Sequence, residues 1–318
     1  MNNTFDELRQ TIELSQSIAI SGHTSPDGDA IGACCALAMS LAELGKDVVV
    51  ILEEYSENFQ IIPTGGLIVK EVDEEYLPDL YIAVDCGDKE RLGNNAKLFD
   101  ETLYTINIDH HISNNFFAKQ NYVDNEASSA SELIFQLIYN YAPINADIAA
   151  AIYAGIVFDT GGFRHSSTSP ITMAIVSELM EYDFNFTQIY NSIFHSRKLG
   201  EAKIMGVALC NLKETFDGRI VTSIVTAEEI KKCGVTSDEL SEISSYIKGV
   251  SGTVASVFMY EKEPETFKVS MRSEDVVNVS EVATKFGGGG HMRAAGCTIK
   301  GNAQEILKNV LSEIEKQL

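Results

Sequence analysis

The first half of the chain alternates short apolar runs with segments of helical character, and this alternation restricts the choice of fold. Apolar runs with the length of buried strands lie at residues 17–21, 48–52, 79–84 and 104–108. Segments with helical character lie at residues 1–16, 30–44, 129–141 and 145–157. Because strands that alternate with helices form βαβ units, we predict an α/β fold with a parallel sheet in this half.

The second half predicts a separate, smaller α/β domain. Strands are expected at residues 220–225, 253–260, 267–271 and 297–299, and helices at 226–232, 237–247, 279–286 and 303–318. Residues 184–200 mix aromatic, basic and polar side chains without a clean period, so we place the boundary there. The expected organisation is a first domain over residues 1–184, a linker over 185–200 and a second domain over 201–318.

Composition and charge argue against several classes of protein. The 318 residues are 45% hydrophobic and carry a formal net charge of −22. A duplex-DNA binder needs a basic face, so the acidity argues against that function but leaves room for a small phosphate-bearing substrate. Most of the carboxylates are expected to form a solvated surface. The longest apolar run, residues 30–42, is shorter than the about 20 residues of a membrane span, and the N-terminus lacks the pattern of a signal peptide. Six cysteines without a CxxC pair are typical of a reduced protein, which predicts a cytoplasmic location.

Carboxylates and histidines follow the predicted strands, at the place where open α/β sheets bind their ligands. The first group, His23, Asp27 and Asp29, follows the first strand, and Pro26 and Gly28 bend the backbone between its members. A structural alternative is that both aspartates cap the next helix, which is a common role for aspartate. One aspartate suffices for a cap, so the histidine and the second carboxylate would remain unexplained.

Three further groups lie at similar positions. Asp85 ends an apolar strand, where a charge is costly unless it is paired or bound to metal. Asp109, His110 and His111 end the next strand, and Asp159 follows a helix that should be buried. Each group has a structural alternative, since an aspartate can form an Asx turn and histidines can face solvent. Four such coincidences are less expected than one metal site.

The residue types of the four groups favour a particular kind of metal site. Mixed imidazole and carboxylate ligands suit manganese, iron or zinc, because a calcium loop would supply more oxygen atoms and no histidine. Six ligands with several carboxylates fit two ions that share one aspartate, and such sites stabilise the attacking and leaving oxygens of a displacement at phosphorus. The candidate ligands are His23, Asp27, Asp29, Asp85, His110 and Asp159.

The order of these groups resembles the DHH phosphoesterase superfamily. HTSPDGDAIG at residues 23–32 is followed by an aspartate that ends a strand, then by DHH at 109–111 and DTG at 159–161. The resemblance implies that the six candidate ligands hold two manganese ions, with Asp85 as the bridge. It also implies a role for His111 beside the scissile phosphate and for Asp109 as a support that orients a neighbour. Ala33 stands where the family often has serine, and it is small as well.

A run of four glycines forms a second candidate site. Residues 287–296 resemble the GGGHxxAAG signature of the DHH-associated substrate domain, and consecutive glycines let backbone N–H groups face an anion. The alternative is a flexible turn before the next strand. Arg272 ends a strand and can reach a phosphate, and by resemblance it binds a nucleotide; Arg164 is a weaker candidate, and a surface arginine is the alternative for both. The predicted substrate-binding residues are Arg272, Gly288, Gly289, Gly290, His291 and Arg164.

The pairing of the two domains is similar to bacterial bifunctional oligoribonucleases that also remove the 3′-phosphate of 3′-phosphoadenosine 5′-phosphate. The resemblance implies two lobes with a cleft, in which the first hydrolyses very short RNA or small nucleotides and the second binds them. It also suggests a homodimer. A long RNA strand would need an extended basic groove, which the sequence does not show.

Other functions are compatible with parts of this pattern. A phosphodiesterase for cyclic dinucleotides, such as cyclic di-AMP, or for their linear products would have the same two domains. An inorganic pyrophosphatase is disfavoured by the glycine and His291 motif, and a RecJ-type exonuclease by the length and charge of the chain. A nucleotide-sensing protein without activity would be expected to lack ligands, and none of the six is missing.

Overall fold

Short apolar runs form the sheet that positions the candidate site. The computed structural model describes residues 2–240, 243–274 and 276–318, and the chain divides into two units, Met1–Ser196 and Arg197–Leu318. The strands of the first unit are β1 (Ser17–Ser21), β2 (Asp47–Ile51), β3 (Ile68–Val69), β4 (Leu80–Val84), β5 (Tyr104–Asp109) and β6 (Gln120–Val123). Its α-helices are α1 (Phe5–Leu14), α2 (Gly28–Glu43), α3 (Ala96–Glu101), α4 (Ala130–Ile138), α5 (Ala146–Asp159), α6 (Pro170–Leu179) and α7 (Phe186–Phe194), with 3₁₀ turns at Glu57–Phe59 and Lys89–Asn95.

The six strands form one parallel sheet in the order β3-β2-β1-β4-β5-β6. The four predicted strands match β1, β2, β4 and β5 to within one residue at each end, so the predicted α/β fold is confirmed. The direction in which the sheet grows reverses between β1 and β4. Open α/β sheets bind ligands at this reversal, outside the carboxyl ends of the strands.

Helices α2 and α5 pack closely because both carry small residues at their contact. A Cβ added to Gly32 of α2 would lie 2.4 Å from the backbone oxygen of Ala151 on α5, and one added to Gly155 of α5 would lie 2.6 Å from Asp29 Oδ1 on α2. Neither position has room for a side chain. The small residues of α2 and α5 therefore bring the two helices together and fix the start of α2 beside the end of α5.

The predicted linker over residues 185–200 differs from the structure. Most of it is helix α7, which begins after the cap Asn185 and buries Ile189 and Ile193 in the core of the first unit. The aromatic residues that obscured the helical period pack on one another, with the rings of Tyr190 and Phe194 5.0 Å apart. Most of the segment that we assigned to a linker is therefore a helix of the first unit, and the division between the two units after Ser196 falls within the same segment.

The second unit is built on a mixed sheet in the order β11-β12-β10-β9-β8-β7, in which only β8 and β9 are parallel. The strands are β7 (Lys213–Thr215), β8 (Ile220–Val225), β9 (Ala255–Glu263), β10 (Thr266–Ser273), β11 (Gly289–His291) and β12 (Ala294–Lys300). The helices are α8 (Leu199–Cys210), α9 (Ala227–Cys233), α10 (Ile243–Ile247), α11 (Val279–Lys285) and α12 (Ala303–Glu315), with a 3₁₀ turn at Ser237–Leu240. Within the part of the chain that the structure describes, no helix is long and apolar enough to cross a bilayer.

Candidate metal centre

Three neighbouring strands deliver the predicted metal-binding residues to one edge of the first sheet. His23 follows β1 by two residues, Asp85 follows β4 directly, and His110 follows β5 directly. β1, β4 and β5 are adjacent in the sheet, with the reversal of strand order between the first two. Asp159 reaches the same place from the last residue of α5.

Asp85 lies at the centre of the cluster, and each of its carboxylate oxygens faces a different group of side chains. Oδ2 is 3.5 Å from His23 Nε2, and that nitrogen is also 3.5 Å from Asp27 Oδ2. On the other side, Asp85 Oδ1 is 3.4 Å from His110 Nε2 and 3.6 Å from His111 Nδ1. One carboxylate therefore belongs to both halves of the cluster.

The second half of the cluster is organised around His110. Its Nε2 is 3.1 Å from Asp159 Oδ2 and 3.9 Å from Asp29 Oδ2. One potential ligand atom from each of Asp29, His110 and Asp159 lies within 4.8 Å of the others, and the same holds for the group of His23, Asp27 and Asp85. The structure thus brings all six predicted ligands together as two triplets that adjoin at Asp85.

The backbone at Asp85 adopts an unusual conformation. Its φ is +56°, in the left-handed region that most side chains avoid, although aspartate tolerates it better than most. The Asp85 N–H donates a 3.0 Å hydrogen bond to the backbone oxygen of Ile108 on β5, which holds this turn in place. Strained positions of this kind concentrate at functional sites, and here the turn directs the carboxylate between the two halves of the cluster.

The donor set fits divalent cations. Among the residues that the structure describes, Asp85 Oδ1 and His110 Nε2 are buried atoms without a hydrogen-bond partner. Buried polar atoms normally have a partner, so two of them that face each other indicate a place for a ligand. The six residues include four aspartates, and four negative charges equal the charge of two divalent cations. These residues could hold such ions.

Without metal ions, protonated histidines supply the positive charge of the cluster. Burial by itself lowers the pKa of His23, but its contacts with Asp27 and Asp85 raise that pKa to about 10. The pKa of His110 rises to about 11, because Asp159 and Asp85 outweigh the opposite effect of burial. Burial raises the pKa of Asp85, yet the two histidines hold it below the usual range of an aspartate. The centre thus has a strong demand for positive charge.

Hydrogen bonds outside the cluster orient its histidines. His23 Nδ1 lies 2.8 Å from the backbone oxygen of Thr24, to which it donates, so its Nε2 faces Asp27 and Asp85. A carbonyl that fixes the tautomer of a metal-binding histidine is a common arrangement. His111 is held differently, because its Nδ1 is 2.7 Å from Oδ1 of the fully buried Asp109. Asp109 therefore supports His111, as the resemblance implied.

Two asparagines, which sequence reasoning missed, extend this support. Asn114 Nδ2 donates to Asp109 Oδ2 at 2.6 Å and to Asn107 Oδ1 at 2.8 Å. The buried Asn107 donates in turn to the backbone oxygens of Ala83 and Cys86, on either side of the end of β4. A signal was present in the sequence, since an asparagine inside an apolar strand needs a buried partner.

The structural alternatives for Asp27 and Asp29 also hold, alongside their place in the cluster. Asp27 caps α2 through Oδ1, which accepts from the N–H groups of Asp29 and Ala30, while Oδ2 faces His23. The buried Asp29 accepts from the N–H groups of Ala130 and Ser131, at the start of α4. Two helix N-termini thus hold these carboxylates in place, although burial and the neighbouring Asp85 and Asp159 raise the pKa of Asp29 well above its usual range.

Arg164 lies on the loop that follows Asp159. The side chain is exposed, and its Nε donates to the backbone oxygen of Gly161 at 3.0 Å. The neighbouring His165 is exposed, and its Nδ1 lies 3.0 Å from the backbone oxygen of Asp159. This geometry does not test whether Arg164 contacts the substrate, so that contact stays a prediction.

The glycines of the second unit have different reasons to be glycine. Gly290 has a φ of +141°, and a Cβ on Gly288 would lie 2.2 Å from the backbone oxygen of Gly296, so both are required by the backbone. Gly289 has neither constraint, and a side chain there would meet nothing within 4 Å. His291 is exposed at the end of β11. Gly289 is therefore the glycine of this run for which close approach of a ligand remains the better explanation.

Matches to known families agree with the two units. The DHH family, N-terminal domain, matches residues 17–156, and the DHHA1 domain matches residues 217–317. The chain is also 30% identical to the bifunctional oligoribonuclease and PAP phosphatase NrnA of Thermus thermophilus, over 99% of this chain and 95% of that protein. The chain therefore belongs to the DHH family.

Two further relatives and one solved structure also resemble the chain. The NrnA protein of Bacillus subtilis is 31% identical and covers 92% of each chain. A crystal structure of an exopolyphosphatase-related protein from Bacteroides fragilis superposes with a TM-score of 0.83 at 26% identity, over 98% of this chain and 95% of that one. The cyclic-di-AMP phosphodiesterase PdeA of Listeria monocytogenes is 26% identical, but this chain covers only 48% of its length.

Proposed function

We propose that the first unit binds two divalent metal ions, most suitably Mn²⁺, in the two halves of the cluster. His23 and Asp27 would hold one ion, Asp29, His110 and Asp159 the other, and Asp85 both. The observation that carries this proposal is the orientation of Asp85, whose two oxygens face different triplets. Mixed imidazole and carboxylate ligands suit manganese, and a carboxylate shared by two sites is expected where two cations work together.

Two divalent ions at this place would polarise a phosphoryl group and supply a nucleophilic oxygen at neutral pH. The residues of the chain hold and orient what surrounds that chemistry. Asp109 holds His111 through Nδ1, which leaves Nε2 for the substrate, and the His111 side chain is more exposed than that of Asp85. We assign His111 to contact with the scissile phosphate, Asp109 to the support of His111, and Asp85 to the bridge between the two metal ions.

We further propose that the substrates are short oligoribonucleotides, hydrolysed to mononucleotides, and 3′-phosphoadenosine 5′-phosphate, hydrolysed to AMP. Relatives named for these two activities match almost the full chain, whereas the cyclic-di-AMP phosphodiesterase shares about half of its length with it. Arg164 and the second-unit residues would bind the substrate, namely Arg272, Gly288, Gly289, Gly290 and His291. We expect the protein to act in the cytoplasm and not to bind duplex DNA. The resemblance alone suggests a homodimer.

Hydrolysis of a matched substrate panel tests this function. Purified protein with Mn²⁺ is given diadenylate RNA, 3′-phosphoadenosine 5′-phosphate, cyclic di-AMP and pyrophosphate at equal concentrations. We expect turnover of the first two, and loss of that turnover after chelation of the metal. Turnover confined to cyclic di-AMP would instead assign the protein to second-messenger degradation. No turnover of any substrate with metal bound would favour a nucleotide-binding protein.

A further inference from the structure

One face of the second sheet is basic, although the chain as a whole is strongly acidic. Cross-strand pairing places Arg272 opposite Ala294 and Lys268 opposite Thr298, and places His291 opposite Ala294 from the other side. Paired residues point to the same face of a sheet and successive residues alternate. This face therefore takes four positions from β10, four from β12 and two from β11, all exposed or half-buried, and none is a carboxylate. Its basic side chains are Lys268, Arg272 and Lys300, with His291 beside them.

The opposite face of the same strands is covered. Phe267, Val269 and Met271 alternate with the basic positions along β10 and are buried in the core with α11 and α12. The uncovered face has an open floor, because Gly289 and Gly296 form a cross-strand pair and Ser270 pairs with Gly296 on the far side. Three small residues in a row make a flat surface across three strands.

Lys268 lies across this floor. Its Cε is 3.9 Å from the point at which a Cβ on Gly296 would stand, so the side chain lies over that glycine. Among the described residues, neither Lys268 nor Arg272 has an ion pair with a carboxylate. The Arg272 guanidinium donates to its neighbouring backbone oxygen on Met271. Two cations without carboxylate partners are unexpected in a chain with 46 acidic residues.

Lys300, at the far end of the face, has a different environment. It pairs with Thr266, and the turn between β9 and β10 brings Glu263 beside Thr266 on the other side. The backbone oxygen of Glu265 accepts from the N–H of Gly301, so a second glutamate lies next to this end. Two glutamates thus lie next to Lys300 along the chain or the sheet, whereas the stretch from Lys268 to Arg272 has no carboxylate among its cross-strand partners.

We propose that Lys268 provides a second phosphate position beside Arg272, so that this face binds two consecutive phosphates of a short single-stranded RNA. The Cα atoms of these residues are four positions apart on one strand, or about 13 Å. Because Lys268 leans over Gly296, which pairs with Ser270 midway between the two, its side chain extends towards the Arg272 end of the face. Two cations along one strand, beside small residues, fit two consecutive phosphates of one backbone. This inference rests on the proposed function and specifies its substrate as RNA with three or more linkages, since the hydrolysed linkage lies at the metal centre.

Steady-state hydrolysis of two RNAs by matched variants tests the proposal. During hydrolysis one linkage lies at the metal centre, so triadenylate offers the face one phosphate and tetraadenylate offers it two, and Lys268→Met keeps the length of the side chain while it removes the charge. We expect Lys268→Met to raise KM for tetraadenylate about 3- to 10-fold and to leave KM for triadenylate and both kcat values nearly unchanged. Arg272→Met should raise KM for both RNAs. Lys300→Met, the control on the same face, should change neither.

The salt dependence of binding separates a phosphate contact from a structural effect. Calorimetry in the presence of a chelator measures the binding of both RNAs to the full chain without hydrolysis. Binding without any hydrolysis in Mn²⁺ would refute the proposed function but not the proposed phosphate positions. Loss of one phosphate contact should reduce the slope of log affinity against log salt by about 0.7 for tetraadenylate. An unchanged slope and affinity in Lys268→Met would overturn the proposal, as would equal losses for both RNAs. Binding of triglutamate with the same dependence on Lys268 would replace RNA by an acidic peptide as the occupant.

Discussion

Asn114→Ala is expected to damage both the stability of the protein and the orientation of His111. The substitution removes the donor to Asp109 Oδ2 and the donor to Asn107 Oδ1, at 2.6 and 2.8 Å. A hydrogen bond to a charged group contributes about 1.5–3 kcal/mol, and a buried acceptor left without a donor costs about 1–3 kcal/mol. We therefore expect the free energy of unfolding to fall by about 2–4 kcal/mol. If about half of that loss is felt by His111 in the transition state, kcat falls about 5- to 30-fold.

Urea denaturation and kcat for diadenylate with saturating Mn²⁺ measure the two effects. The exposed Asn125 offers a control, since Asn125→Ala should change stability by no more than about 0.5 kcal/mol. Asn114→Asp adds a second carboxylate against Asp109, which raises the folded-state pKa of the pair. Its stability should therefore recover as the pH falls through that raised pKa, because protonation restores a donor. Wild-type stability and kcat in Asn114→Ala would refute the role of this network.

Three further predictions concern separate parts of the molecule. Gly32→Ala places a Cβ 2.4 Å from a backbone oxygen of α5, so the free energy of unfolding should fall by at least about 2 kcal/mol. Thermal unfolding measures this loss, and an unchanged melting temperature would contradict the packing described. Because the pKa values of His23 and His110 are raised to about 10 and 11, both hold protons at pH 7, and Mn²⁺ binding should release about one to two protons and tighten as pH rises. Calorimetry in buffers of different ionisation enthalpy measures that release, and Mn²⁺ binding without any proton release would contradict the prediction. Gly288→Ala should lower the stability of the second unit, whereas Gly289→Ala should fold normally and raise KM for diadenylate; the reverse order would exclude our assignment of these glycines.

The fold was predictable where local pattern and tertiary environment agree. β1, β2, β4 and β5 are buried apolar runs, and burial on both faces is what a continuous run of this kind predicts. β3 has two residues, and β6 has the sequence QNYV, so neither carries such a pattern. β6 is formed because strand β5 and the N-terminal segment supply its backbone partners, including a bond from the Asn3 N–H to the Asn121 oxygen.

The candidate site was predictable in its members and less so in its geometry. Strand ends gave the positions of His23, Asp85 and His110, because parallel strands end at one edge of the sheet. Position alone could not show that Asp29 anchors α4, since that contact joins residues about a hundred positions apart. The basic face in the second unit could not be predicted from the sequence, because its charged residues are at least four positions apart and converge only through cross-strand pairing.

The number of metal ions bound by the wild type and by Asp85→Asn tests the central claim most directly. Asparagine keeps the shape of the side chain but lacks the charge that both triplets share. After dialysis against Mn²⁺, we expect two ions per wild-type chain with hydrolysis of diadenylate, and at most one ion per variant chain without it. Two tightly bound ions in Asp85→Asn, or wild-type hydrolysis by that variant, would contradict a centre in which Asp85 joins two metal sites.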